Sequence, residues 1–173
     1  SVDAVALSAS LPEIRITFRN DRDGSHTFLG DECVDEAIRT IEVSSYVSPV
    51  AVIPEVREFV DRILRDYGKA GRVVMDGRDI GTTVFPDAEL KIFMVADANV
   101  RAARRLKEMQ ASGSEADFDT VLENLKTRDY IDSHRETSPL RQAEDAIVLD
   151  NTDMTLEDQM VWLRDIVRSR FGD

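Results

Sequence analysis

Asp76, Gly77, Arg78 and Asp79 place two carboxylates and a guanidinium in one short turn, directly after the apolar run Val73, Val74, Met75. An arginine there offers a planar fork of donors matched to phosphate. A carboxylate beside it can accept from a nucleobase or help hold a metal ion. A salt-bridged structural turn is the other reading of the same residues. A second constellation is Arg128, Asp132 and Arg135, which continue the register of Val121 and Leu125 at spacings of four, three, four and three. Those spacings keep all of them on one helix face. A stripe that begins apolar and turns charged without changing direction is costly unless the charges meet a ligand or partner, a solvated stripe being the alternative. A third group is Arg101, Arg104, Arg105 and Lys107, with Arg101 and Arg105 four apart on one face. The polar stretch QASGSEAD, residues 110–117, follows. Arginines flanking a soft, glycine-bearing loop suggest a closing lid; a solvated helix face is the plainer reading.

Elements must hold these groups in place. Val73, Val74 and Met75, punctuated by Gly71 and Gly77, read as a strand buried on both faces, best placed centrally in a parallel sheet. In such sheets the ligand crevice lies beyond the carboxyl ends of the strands, which is where Asp76 to Asp79 would fall. LKIFMV at 90–95 and Ile147 to Leu149 are two further buried strand candidates. Before the first strand, Pro54 suits a helix first turn, and Val56, Phe59, Val60, Ile63, Leu64 and Tyr67 recur with helical period. Asp97 is positioned to cap the helix bearing the lid arginines. Thr155 with Asp158 can cap a final helix through Leu156, Met160, Leu163, Val167 and Phe171, with Met160 and Trp162 in the core. Toward the amino end, Ile14, Ile16 and Phe18 alternate with Arg15, Thr17 and Arg19, Asp23-Gly24 supplies a turn, and Thr27 to Leu29 can return as the second strand of a hairpin. Residues 31–48 read as short helices. Helix alternating with strand favours a parallel α/β sheet, with the hairpin as a small antiparallel addition.

A 173-residue chain suits one domain, and 42% apolar with 32% charged residues fits a globular protein without a membrane-spanning run. The net charge of -12 argues against nonspecific nucleic-acid binding, so an anionic ligand must be held by local arginines. Cys33 stands alone, no disulfide framework forms, and a cytoplasmic location follows as the default. His26 and His134 are far apart, and no Cys/His spacing supports zinc, so no metal site is expected from the protein side chains.

The ordered set DGRDIGTTVFPDAELKIF, VRAARRL, TRDYIDSHR and AIVLDNT resembles bacterial cytidylate kinases over nearly the whole chain. The resemblance implies a P-loop NTPase, nucleoside monophosphate kinase-like fold. In it, residues 1–35 are the antiparallel insert on the acceptor side and 36–173 the remaining core, with a lid around 101–128. It implies transfer of the terminal phosphoryl of ATP, with magnesium, to CMP or dCMP. By the same resemblance, Ser48, Arg57 and Asp79 look like the cytosine readers, Asp79 accepting from the exocyclic amine. Arg78 looks like the grip on the acceptor phosphate, Arg128 and Asp132 like the sugar contacts, and Arg135 like a further contact in the closed acceptor site. Arg101, Arg104 and Arg105 match the lid arginines that would neutralise charge on the transferring phosphoryl. Partners are then small nucleotides, with neither nucleic acid nor membrane, on a family monomer.

The family's first strand and its GxxxxGK[ST] loop do not occur in these residues; Gly68-Lys69 has no glycine five positions earlier. That loop supplies the backbone amides, lysine and hydroxyl that hold ATP and magnesium, and the strand lies between those matching RVVMDG and LKIFMV. The chain as written is therefore expected to be a truncated form, a proteolytic product or a natural remnant that does not turn over ATP and has unpaired strand edges. A weakened nucleotide-binding module, a swapped oligomer that fills the strand from another copy, and a kinase for another nucleoside monophosphate are the competing expectations.

Overall fold

The computed structural model describes residues 2–22, 24–111, 113 and 115–172. It divides into two compact units, Ser1–Met75 with Glu123–Pro139, and Asp76–Leu122 with Leu140–Asp173.

The first unit opens with helix α1, Ala4–Ser10, capped by Asp3, whose carboxylate accepts from the Val5 and Ala6 amides at 3.1 and 3.0 Å. Strands β1 (Ile16–Asn20), β2 (Ser25–Leu29) and β3 (Glu32–Cys33) form an antiparallel sheet in that order. The expected hairpin is present with Ile16 opposite Leu29 and Asn20 opposite Ser25. The turn expected at Asp23 lies outside the described residues, and the third strand had no signal of its own because two residues show no alternation. Gly30, at a φ of 61°, makes the tight corner that lets β3 fold back, a conformation glycine adopts freely. Phe18 packs edge-on against Tyr67 with centroids 5.2 Å apart.

Helices α2 (Ile41–Ala51) and α3 (Pro54–Gly68) follow. Thr40 caps α2, and Pro54 occupies the first turn of α3, where its missing N–H costs nothing. Leu11, Ile53 and Val56 form the buried apolar cluster of this unit, with Leu7, Ile14, Val50 and Phe59 packed against it. Arg57 and Asp61 are buried on α3 as well, so the inward face of this helix is only partly the apolar stripe.

Residues 73–75 do not form the expected central buried strand. Val74 is fully exposed, Val73 is exposed, and Arg72 preceding them has a φ of 54°. A strand is sustained by ladder hydrogen bonds to a neighbour, and this segment has no ladder partner among the described residues. Its apolar side chains therefore lack the sheet surface that would bury them.

The second unit holds a parallel pair, β4 (Ile92–Val95) and β5 (Ile147–Asp150), with Ile92 opposite Ile147 and Val95 opposite Asp150. Both strands fall where expected, but full burial does not. Leu149 is buried while Ile147, Val148 and Met94 are exposed, because a strand in a two-stranded sheet keeps open edge and face. Helix α4 (Ala98–Ala111) is capped by Asp97, whose carboxylate accepts from the Asn99 and Val100 amides at 2.8 and 3.2 Å. Helix α5 (Phe118–His134) begins in this unit and continues into the first. Helix α6 (Leu156–Phe171) starts at the expected capping box of Thr155 and Asp158. Met160, expected in the core, is half-exposed on α6, as are Val161 and Phe171.

Candidate nucleotide site

In the first unit, α2 and α5 turn polar side chains inward. Ser48 is 0% exposed, and its Oγ has no hydrogen-bond partner among the described residues. One turn earlier, Ser44 Oγ donates to Asn124 Oδ1 at 3.0 Å and accepts from Arg128 Nη1 at 3.1 Å. Ser44 on α2, held by Asn124 four residues before Arg128 on α5, therefore fixes the arginine. Ser44 and Asn124 were not among the expected site residues. The i, i+4 repeats of small polar residues were the available signal.

The charged stripe on α5 is not solvated. Val121 is buried, Arg128 half-buried, Asp132 3% exposed and Arg135 8% exposed. Arg135 Nη1 lies 3.6 Å from Asp132 Oδ1, and its Nε donates to the Ser138 carbonyl at 2.8 Å. On α3, buried Arg57 donates to the Ala51 carbonyl at 3.4 Å and lies 3.8 Å from Asp61 Oδ1, while Asp61 Oδ2 lies 3.8 Å from Arg65. Asp61 thus sits between two arginines. It is a third residue the sequence did not single out, readable in retrospect as the i, i+4 partner of both.

In the second unit, Asp79 is buried and Arg78 exposed. The Asp79 carbonyl accepts from the Thr82, Thr83 and Val84 amides at 3.2, 2.9 and 3.4 Å, and the chain winds through a π-helical turn over Ile80–Val84. Such turns are rare and concentrate at functional sites. Gly77 meets Ile80 closely, since a Cβ there would lie 3.3 Å from Ile80 Cβ.

The arginines of α4 differ in what they hold. Arg104 donates to Asn151 Oδ1 at 3.1 Å and to the carbonyls of Asn151, Thr152 and Met154 at 2.7, 3.2 and 3.3 Å. Its guanidinium therefore braces the loop after β5. Arg101 Nε donates to the Ala96 carbonyl at 3.1 Å, and Arg105 lies 3.5 Å from Glu108 Oε2. The same loop is knitted to the end of β4, because Thr152 Oγ1 accepts from the Asp97 amide at 3.0 Å and donates to Asp150 Oδ1 at 2.7 Å. The Val100 and Asn99 amides hold the Asp97 carboxyl below the usual range, and the Thr152 hydroxyl followed by its amide does the same to Asp150. Two loops at the carboxyl ends of a parallel pair are thus fixed in the place where α/β sheets bind ligands.

The family model for cytidylate kinase matches residues 1–167. Curated cytidylate kinases of Phocaeicola vulgatus and Parabacteroides distasonis are each 51% identical, over 164 and 168 residues. These alignments cover 94% and 96% of this chain and 72% and 73% of the relatives. That of Streptococcus agalactiae is 48% identical over 164 residues, covering 94% of this chain and 72% of its own. With the parallel pair and the small antiparallel sheet, these matches define an α/β protein of the P-loop NTPase fold and an ATP-dependent phosphotransferase. The chain belongs to the cytidylate kinase family. Among the described residues no helix is long and apolar enough to cross a membrane.

Magnesium with ATP is general to such kinases, and the fit can be tested on the residues present. The phosphate-cradling GxxxxGK[ST] pattern is not in this sequence, and Asp76 and Asp79 join no cluster of potential metal ligands among the described residues. These residues do not by themselves form a holder for magnesium-bound ATP. A group of three potential ligands does occur elsewhere, at His26, Cys33 and Asp35, where the sequence spacing led to the expectation of none.

Proposed function

We propose that this chain carries the acceptor-nucleotide machinery for phosphoryl transfer from ATP to CMP or dCMP, giving CDP or dCDP. The observation that carries the reading is the buried, unpartnered Ser48 hydroxyl on the same unit as buried Arg57, Asp132 and Arg135. A buried hydroxyl left unpaired is costly, and that cost is offset when a polar ligand supplies its partner.

In this reading Ser48 and Arg57 serve the polar edge of cytosine, and Asp79 accepts from the exocyclic amine. Arg78, exposed and forked, grips the acceptor phosphate. Arg128 and Asp132 contact the sugar, Arg128 being oriented by Ser44, and Arg135 completes the acceptor side. Arg101 and Arg105 neutralise charge on the transferring group. Arg104 has the different task of holding the loop after β5, as its four acceptors favour. Phosphoryl transfer asks a protein for positioning and charge stabilisation, so a set of arginines and carboxylates suffices without a covalent nucleophile. Binding that hydrogen-bonds a base edge rejects a base with reversed donors, because the site's own groups are then left unpaired.

The test is calorimetric titration of CMP, dCMP and UMP into the chain, repeated with Asp79→Ala. CMP is expected to bind at least tenfold more tightly than UMP, with that preference lost in the variant. Equal affinity for CMP and UMP in the unaltered chain would sink the reading. The bare Val74 segment favours a second reading, in which another copy supplies a strand to 73–75. A monomeric mass in sedimentation at high concentration would exclude it.

A further inference from the structure

One face of the antiparallel sheet, carrying none of the residues assigned above, gathers the side chains of His26, Cys33 and Asp35. The pairing explains why. Phe28 stands opposite Cys33, and the Val34 amide donates to the Thr27 carbonyl at 2.9 Å, which extends the register toward His26 and Asp35. Alternation along each strand then puts His26 with Phe28, and Cys33 with Asp35, on the same side. One nitrogen, one sulfur and one oxygen from these residues all lie within 4.8 Å of one another.

We propose that His26, Cys33 and Asp35 form a binding site for a divalent transition metal of the zinc class. The ligand chemistry selects that class. A thiolate with an imidazole suits borderline-soft ions, whereas magnesium and calcium require oxygen donors throughout. Three protein ligands leave a fourth tetrahedral position for a water molecule, and Cys33 is exposed to solvent.

The surrounding groups are those such a site needs. Asp35 Oδ1 accepts from the Thr27 amide at 2.8 Å, which fixes the carboxylate while Oδ2 lies 2.7 Å from His26 Nδ1. On the far side of the ring, His26 Nε2 lies 3.2 Å from Asp21 Oδ1, and that oxygen also accepts from the Gly24 amide at 3.2 Å. Nε2–H donating to Asp21 leaves Nδ1 directed at Asp35 and free to exchange its proton for a metal ion. A carboxylate behind a ligating imidazole is the usual outer-shell arrangement; it sets the tautomer and raises ligand basicity. On binding, Nδ1–H and Sγ–H give up their protons to solvent, and the bond from Nδ1 to Asp35 is replaced by bonds from both to the metal.

The test uses the full chain, freed of metal with a chelator and titrated with Co2+ as a spectroscopic probe. One equivalent is expected to give the thiolate-to-cobalt charge-transfer band and the visible bands of a tetrahedral ion, with Zn2+ displacing it and Mg2+ not. Cys33→Ser, at an exposed position, should keep the far-UV dichroism of the parent and lose the charge-transfer band. His26→Ala should weaken Zn2+ binding at least tenfold. Asp21→Asn should weaken Zn2+ roughly ten- to hundredfold while keeping the band. A charge-transfer band that is absent, or that survives in Cys33→Ser, overturns the proposal, as does Zn2+ affinity unchanged by His26→Ala.

Discussion

Replacing Ser48 by alanine should stabilise the protein and weaken its nucleotide site at the same time. Ser48 is fully buried in α2, and its hydroxyl has no hydrogen-bond partner among the described residues. A buried polar group left unpaired costs about 1–3 kcal/mol. Alanine is also the better helix former by a few tenths of a kcal/mol. Against this, deleting one oxygen leaves a void of ~20 Å3, which at about 24 cal/mol per Å3 costs about 0.5 kcal/mol. The balance is a gain of about 1–2 kcal/mol, or a thermal midpoint higher by roughly 2–8 °C for a chain of this size. CMP should bind roughly two- to tenfold more weakly, since one hydrogen bond to a ligand contributes about 0.5–1.5 kcal/mol. Thermal melts by circular dichroism read the first quantity and calorimetry the second. Ser44→Ala is the internal control one turn away. It removes an acceptor from Arg128 and a donor from Asn124, and should lower stability by about 1–3 kcal/mol. A Ser48→Ala protein less stable than the parent by 1 kcal/mol or more would refute the reasoning, because the hydroxyl would then be structurally satisfied.

Three other perturbations follow from the same geometry. Asp132→Ala should weaken CMP and dCMP binding several-fold and alter their ratio while α5 keeps its helicity by circular dichroism; unfolding of the helix would assign Asp132 to a purely structural pair with Arg135. Arg104→Lys substitutes a point donor for a planar fork bonded to four acceptors, so the thermal midpoint should fall by about 2–4 °C per kcal/mol lost, with faster amide exchange in the loop 151–154. The carboxyls of Asp97, Asp150 and Asp158 are depressed, the first by amides and the other two chiefly by threonine hydroxyls. A depressed carboxyl contributes stability that is complete above its unfolded value, about 4, and lost as pH falls through the lower folded value. Helicity should therefore hold steady from neutral pH to about 4 and decline below it, and Thr155→Ala should move that decline to higher pH.

The helices were legible wherever a cap and a period coincided. Asp97 ahead of Arg101 and Arg104, Pro54 ahead of Val56 and Phe59, and Thr155 with Asp158 each marked an element that the structure contains. The α5 stripe was legible as inward-facing charge because spacing alone fixes which side chains share a face. Burial of strands was not legible from composition. Val73 and Val74 read like Ile147 and Leu149, yet strand formation depends on a neighbour whose position local sequence does not encode. Arg104 and Arg105 were likewise indistinguishable in sequence. Only the loop that Arg104 meets, 47 positions away at Asn151, separates their tasks. The His26, Cys33 and Asp35 group escaped for a related reason, since it is assembled by strand pairing instead of by a ligand-spacing motif.

The division of the chain into units bears on the order of synthesis. The first unit takes its residues from 1–75 and again from 123–139, and the second from 76–122 and from 140 onward. On a ribosome adding ~5–20 residues per second, the amino-terminal part of the first unit waits on the order of seconds for the α5 residues that finish it. During that interval Ser44 lacks Asn124 and Arg128, and the face that α5 will cover stands open. By then most of the second unit's earlier segment has also emerged without β5. The nascent chain thus carries two unfinished halves at once, and a holdase that shields exposed apolar surface would be needed most while residues 76–139 are being added.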